Sequence, residues 1–256
     1  MKMNIIVPVK LIPDLVEELE INEVGTSLDM TFMRLILNEF DEHAIEQAVL
    51  LKEKYGGHVT VISPEYDGAD DVLFTSAAKG VDRLIKLTGA FEDTVNSHAL
   101  ARIFKEAVKN LNPDLILTGV QAHDCHDGPV GPMLAAYLEM PYVGYVSGVE
   151  ISGDSCNIRK EYPGGVIAEM AVRMPAVLGI QASEEPPRYI AISKVRQAMK
   201  LTTLEESPAS DIDLSGGPGV LRIYKPEVGE RATMIEGDEG EIASRFVEIL
   251  KEHGVL

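Results

Sequence analysis

Apolar residues in this chain come in two rhythms. Short, mainly apolar runs at Asn4 to Val9, His58 to Ser63, Arg83 to Leu87 and Asp114 to Thr118 have the length and β-branched content of strands. A half-exposed strand would alternate polar with apolar positions, so near-continuous runs of this kind predict strands covered on both faces. Between them lie stretches with helical spacing. Asp41 can cap a helix in which Ala44, Ile45, Ala48, Val49 and Leu51 recur on one face and which Gly56 and Gly57 stop. Ala69 to Lys79, ended by Gly80, and Thr94 to Lys109 read the same way. Each is long enough to return the chain to a parallel neighbour. The alternation predicts an α/β fold, a doubly wound and mostly parallel sheet.

The rhythm changes at Tyr142. Tyr142 to Ile151, Cys156 to Tyr162 and Val166 to Arg173 are extended segments separated by Ser-Gly-Asp and Pro-Gly-Gly turns, which predicts an antiparallel excursion at one edge of the sheet. Ala176 to Ile180 is a further strand, Gln181 to Arg188 a proline-containing loop, and Ile190 to Lys200 a basic helix. Ser207 to Gly219 has the Gly, Pro and Asp content of a linker. Beyond it the pattern predicts a strand at Val220 to Tyr224 and a helix capped by Asp238 with Ile242, Phe246, Ile249 and Leu250 inside it. The expected organisation is an α/β domain over residues 1–206, then a linker and C-terminal helical arm over 207–256.

Charge narrows the function. The 256 residues carry 23 basic and 41 acidic side chains, a net charge of −18, which argues against nucleic acid as a partner because phosphate binding needs a basic face. Only the block 151–200 is net positive, with 7 basic and 5 acidic residues. No apolar run reaches the roughly 18 residues of a membrane span, and the acidic sequence after Lys10 is a poor context for signal-peptide cleavage. A cytoplasmic protein is expected. Cys125 and Cys156 form no CxxC pair, which suits a reducing compartment.

In a doubly wound sheet the ligand crevice lies beyond the carboxyl ends of the strands, so the loops after strands are the candidate site. The most informative runs from Gly119 to Gly131, because its glycines let backbone approach a ligand and a helix start follows it. A tight connection with no ligand would look the same. His123, Asp124, His126 and Asp127 invite a metal reading, but adjacent loop residues have poor geometry for one ion, and no metal is expected. Cys125 beside His126 is a weaker candidate for a nucleophile, since sequence neighbours rarely form the required pair. Neither GxxxxGK[ST] nor GxGxxG occurs, so P-loop and dinucleotide-dehydrogenase readings lack their mechanical parts.

Five segments, in order, carry a family resemblance: Val7-Pro-Val-Lys10, Asn38-Glu-Phe-Asp-Glu42, Ala77-Ala-Lys-Gly-Val-Asp-Arg83, Gly119-Val-Gln-Ala-His-Asp124 with Val130-Gly131, and Pro186-Pro-Arg-Tyr189. Over about residues 1–206 the chain resembles the β subunit of electron transfer flavoproteins. The resemblance implies an electron-carrier subunit with no turnover of its own. It would pair with an α subunit, serve a dehydrogenase or quinone-reductase partner, and bury an adenine nucleotide. In the ordinary branch that nucleotide is AMP; in the bifurcating branch it is FAD, which takes hydride from NADH. Asp93-Thr-Val-Asn-Ser97 and Val130-Gly131-Pro132 resemble the second branch, whereas Asp124-Cys-His-Asp-Gly-Pro129 departs from it in charge and size.

Carried over residue by residue, the nucleotide contacts implied are Pro8, Asn38, Ser63, Pro64, Thr94, Ser97, Gly119, Ala122, Asp124, Asp127, Gly128, Pro129, Val130 and Gly131. Backbone N–H groups of Gly128 and Gly131 and the hydroxyls of Thr94 and Ser97 would take phosphate oxygens. Asn38 and Thr94 have the alternative of capping a turn and a helix. Partner recognition maps to Glu184, Glu185, Arg188, Tyr189 and Lys194, although Ala182-Ser-Glu-Glu185 lacks the apolar anchor that relatives carry there. The rival readings are an adenine-nucleotide sensor or adenosine-hydrolase-like protein of the universal stress kind, and a metal-dependent hydrolase using His123, Asp124 and His126.

Overall fold

The structure, a computed structural model, describes residues 3–89, 96–125, 128, 130–209, 212–227, 229 and 232–256. The chain opens with β1 (Met3–Pro8), a short hairpin of β2 (Leu11–Pro13) and β3 (Leu35–Leu37), α1 (Glu39–Tyr55) and β4 (Gly57–Pro64). Then come α2 (Ala69–Lys79), β5 (Arg83–Thr88), α3 (Ser97–Val108), β6 (Leu115–Gly119) and α4 (Val130–Leu138). The excursion is β7 (Tyr142–Ser152), β8 (Ser155–Tyr162) and β9 (Val166–Arg173), after which the chain returns through β10 (Ala176–Ile180), α5 (Ile192–Leu201) and β11 (Leu204–Pro208). A last helix, α6 (Glu239–Glu252), follows.

Among the described residues the main sheet has nine strands in the order β11-β5-β4-β1-β6-β10-β7-β8-β9, parallel from β11 to β7 and antiparallel through β7, β8 and β9. The expected α/β architecture is the one observed. Its apolar strands feed two layers at once. Ile5 and Val7 of β1 pack with Ala44, Ile45, Ala48 and Val49 of α1 and Leu73 of α2, while Ile6 between them packs with Leu100, Ile103 and Phe104 of α3 and Leu134 of α4. Successive side chains point to opposite faces, so a strand buried on both must be apolar throughout. In β8, by contrast, Cys156 and Ile158 are buried and Asn157 and Arg159 exposed, as expected where one face is covered.

Three local expectations need correction. The helix read from Thr94 begins at Ser97, because Asn96 is its cap and accepts from Ala99 N at 3.0 Å; residues 94 and 95 lie outside the described residues. Val220 to Tyr224 forms no strand, since a strand without a partner leaves its backbone groups without a ladder. The strand that does join the sheet there is β11, beside β5, in a stretch whose Glu205 and Glu206 hide its character. The acidic segment after Lys10, which lacks clear periodicity, also contains the β2–β3 pairing of Leu11 with Leu37.

The chain divides into two compact units, one running to Arg222 and the other Ile223–Leu256. In the second, Asp238 caps α6 as its position predicts. Its Oδ1 accepts from Gly240 N and Glu241 N, and Glu241 Oε2 accepts from Asp238 N, a reciprocal capping box.

Candidate functional site

β1 and β6 are neighbours, yet from β1 the chain steps outward through β4 and β5 and from β6 it steps the other way through β10. At such a point the loops leaving the two strands part and open a crevice beyond their carboxyl ends. A cavity lies there. One wall is Pro8 at the end of β1, Val9 and Lys10 after it, and Asn38 and Asp41 at the start of α1. The facing wall is Thr118 to Ala122 with Cys125 and Gly128, and Ser97, Leu100 and Phe104 of α3 and Val130 of α4 complete the lining.

The walls are tied together by polar groups. Asp41 does not cap its helix: α1 begins at Glu39, Asn38 holds the cap position without a side-chain cap bond, and the Asp41 carboxylate turns across the crevice. Its Oδ2 accepts from Lys10 N at 2.8 Å and its Oδ1 from Gly119 N at 2.9 Å. Backbone donors at the ends of strands need partners, and a carboxylate serves two of them more strongly than a neutral oxygen would. Burial pushes the Asp41 carboxyl up to about 7, against the downward pull of these two N–H groups, Asn38 and the Lys10 charge. Asn38 Nδ2 donates to Gln121 O at 2.9 Å, and Lys10 Nζ pairs with Asp124 at 2.6 Å. His123 reaches Glu39 at 3.3 Å and lies against the Phe40 ring.

Glycine has two different uses here. A Cβ on Gly119 would collide with Asp41 Oδ1 and stand 2.8 Å from Phe40 Cβ, so the absence of a side chain is what lets α1 approach β6. A Cβ on Gly131 would point at Thr118 Oγ1 and Tyr142 Cε2, both 2.9 Å away. A side chain at 131 would therefore first meet the packing of α4 on the sheet.

Of the implied nucleotide contacts, Pro8, Asn38, Ser97, Gly119, Ala122, Gly128 and Val130 line the cavity. Ser63, Pro64, Asp124 and Gly131 are not in its lining. The Ser63 hydroxyl donates to Pro64 O at 2.9 Å, and Asp124 faces Lys10. Thr94, Asp127 and Pro129, with His126, lie outside the described residues. Sequence reasoning passes over Lys10, Asp41, Thr118 and Gln121 as lining residues; only the place of Lys10 and Thr118 at strand ends points to them. Among the described residues no group of three or more His, Cys, Asp or Glu could hold a metal ion. Ser97 Oγ and Cys125 Sγ are hydrogen-bonded at 2.9 Å.

Two buried side-chain atoms in the lining, Asn38 Oδ1 and Thr118 Oγ1, have no hydrogen-bond partner among the described residues. Leaving a buried polar atom unsatisfied costs about 1–3 kcal/mol, so the cavity suits a ligand that brings hydrogen-bonding groups of its own. Residues present and an adenine nucleotide fit one another in this respect.

On the other side of α1 the same helix anchors residues 183–188. Ser183 N donates to His43 Nδ1 at 3.2 Å, Glu184 N to Gln47 Oε1 at 3.0 Å, and Arg188 N and Nε to the Glu46 carboxylate at 3.0 and 2.8 Å. Arg188 also reaches Glu53 at 2.7 Å. This arginine is thus engaged within the chain, whereas Tyr189 is 88% exposed and Glu185 and Lys194 face solvent.

Residues 33–211 match the electron transfer flavoprotein domain family. The chain is 35% identical to the electron transfer flavoprotein subunit beta of Methylophilus methylotrophus, with 98% of each chain covered, and 33% identical to that of Clostridium acetobutylicum over the same shares. It is 30% identical to the subunit of the same name from Bradyrhizobium diazoefficiens over 99% of this chain and 100% of that one. With its doubly wound sheet and switch-point crevice, this chain belongs to the electron transfer flavoprotein family, as a β subunit.

Proposed function

We propose that the crevice between β1 and β6 holds FAD, in a cytoplasmic heterodimer with an electron transfer flavoprotein α subunit that passes electrons between a dehydrogenase and an acceptor. The observation that carries the choice of nucleotide is that the first turns of two helices, α3 through Ser97 and α4 through Val130, line one cavity. Free N–H groups at a helix start receive phosphate, and two such starts suit a pyrophosphate better than the single phosphate of AMP. Asn38 and Thr118 supply buried polar atoms for the remainder of the ligand, Gly128 a close backbone approach, and Leu100 and Phe104 an apolar wall that excludes water.

Bound flavin would supply hydride and single-electron chemistry, and NADH would then be a reductant of the complex. The chain's own residues bind and orient it. Docking of the dehydrogenase falls to Glu184, Glu185 and Tyr189, on or next to the segment anchored on α1, and to Lys194 of α5; Arg188 holds that segment in place. The sensor and hydrolase readings lose their basis in the family match over 33–211.

The test is the nucleotide content of the αβ complex after denaturation. About two FAD per heterodimer, with NADH oxidation, is the expected result. One FAD and one AMP would overturn the FAD assignment and leave the crevice an AMP site.

A further inference from the structure

The two oxygens of Asp41 are bound to different walls of the same cavity. Oδ2 takes the N–H of Lys10, in the loop that leaves β1, and Oδ1 takes the N–H of Gly119, where β6 ends. Asp41 is buried, and position 119 has no side chain to hold the second wall off. The other ties between the walls among the described residues, Asn38 to Gln121, Lys10 to Asp124 and His123 to Glu39, reach a more exposed part of the loop. None of them joins both strand ends. A carboxylate accepts at both oxygens, whereas an amide of the same shape accepts at one and donates at the other.

We propose that Asp41 is a positioning residue that sets the spacing of the crevice walls by binding Lys10 N and Gly119 N with one side chain, so that nucleotide affinity depends on it although it need not touch the nucleotide. This rests on the nucleotide reading of the crevice. The required spacing is a matter of fractions of an ångström, because a ligand that bonds polar atoms of both walls, such as Asn38 Oδ1 on one and Thr118 Oγ1 on the other, loses one of them when the walls part.

The experiment uses the full chain in complex with its α subunit, stripped of nucleotide and titrated separately with AMP and FAD by calorimetry. Asp41→Asn is expected to weaken binding at least tenfold in a complex that still folds and assembles. Hydrogen exchange should quicken in one of the two peptides covering 8–12 and 117–121, since only one N–H keeps an acceptor; Asp41→Ala should quicken both and leave peptides elsewhere unchanged. A merely structural role would instead raise exchange throughout. If the wild type binds a nucleotide and Asp41→Asn binds it within twofold, the positioning role is overturned and the nucleotide reading stands. A wild type that takes up neither nucleotide overturns the reading of the crevice and the proposal together. Should Asp41→Asn fail to assemble, Asp41→Glu, which keeps the charge and moves both oxygens by one methylene, is held to the same thresholds.

Discussion

Asp41 brings a carboxylate into a place from which water is excluded, and its ionisation there opposes folding. Its folded-state value of about 7 lies above the ordinary 3.8, so the folded protein binds a proton that the unfolded chain has lost between those two values. The stability contributed by the neutral form is complete below about pH 4 and is lost as pH rises through 7. The free energy of unfolding should therefore fall between pH 4 and 7 by an amount on the order of 2–4 kcal/mol, measured by urea unfolding, and Asp41→Asn should flatten that slope; an unchanged slope in the variant would show that Asp41 is ionised throughout. Gly131 gives a second residue-scale expectation. Because its Cβ would meet Tyr142 and Thr118, Gly131→Ala should destabilise the fold by about 1–3 kcal/mol, read from the urea midpoint. Loss of nucleotide on changing Gly131 therefore reports packing before it reports ligand contact.

At the scale of elements α1 does two jobs. Its first turn supplies Asn38 and Asp41 to the crevice, and another of its faces holds the 183–188 segment through His43, Glu46 and Gln47. The Glu46 side chain is only 2% exposed and depends on Arg188. Removing one partner of such a pair leaves a buried charge without compensation. Arg188→Ala should cost about 1–3 kcal/mol, discounted for the partial exposure of the arginine, and limited proteolysis between 182 and 191 should become faster; unchanged cleavage would refute the anchoring. In α6, Asp238→Ala should weaken the helix by about 1 kcal/mol, seen as faster hydrogen exchange over 239–252. Strands and helices with strong periodicity are legible in the amino-acid sequence alone. Those that are not, β11 with its two glutamates and the three-residue β2 and β3, owe their pairing to a neighbour supplied by a distant part of the chain.

For the whole molecule, the apolar residues left in solvent are the main clue to assembly. Val16, Phe32 and Tyr189 are exposed in the first unit and Met234 and Phe246 in the second, apolar side chains that an α subunit would have to cover if they lie at its interface. Expressed without an α subunit, the chain should be recovered largely as aggregate or with little nucleotide. With the α subunit, soluble yield and nucleotide content should rise together. A stable, fully loaded monomer would contradict this expectation.

The sequence by itself determined the doubly wound sheet, the antiparallel excursion and the family, because these rest on the period of apolar residues and on short local motifs. Both kinds of signal are carried by neighbours along the chain. It also pointed to the Gly119 to Gly131 loop as the candidate site. Only the tertiary structure decided which residues meet across the crevice. Asp41 looks like an ordinary helix cap in sequence, and its role becomes visible when β1 and β6, more than a hundred residues apart, lie side by side and present it with two unpaired backbone donors. Gly131 changed meaning in the same way, since what its absent side chain makes room for is Tyr142, on a strand placed by the fold. Contacts of this kind depend on distances that no local pattern encodes.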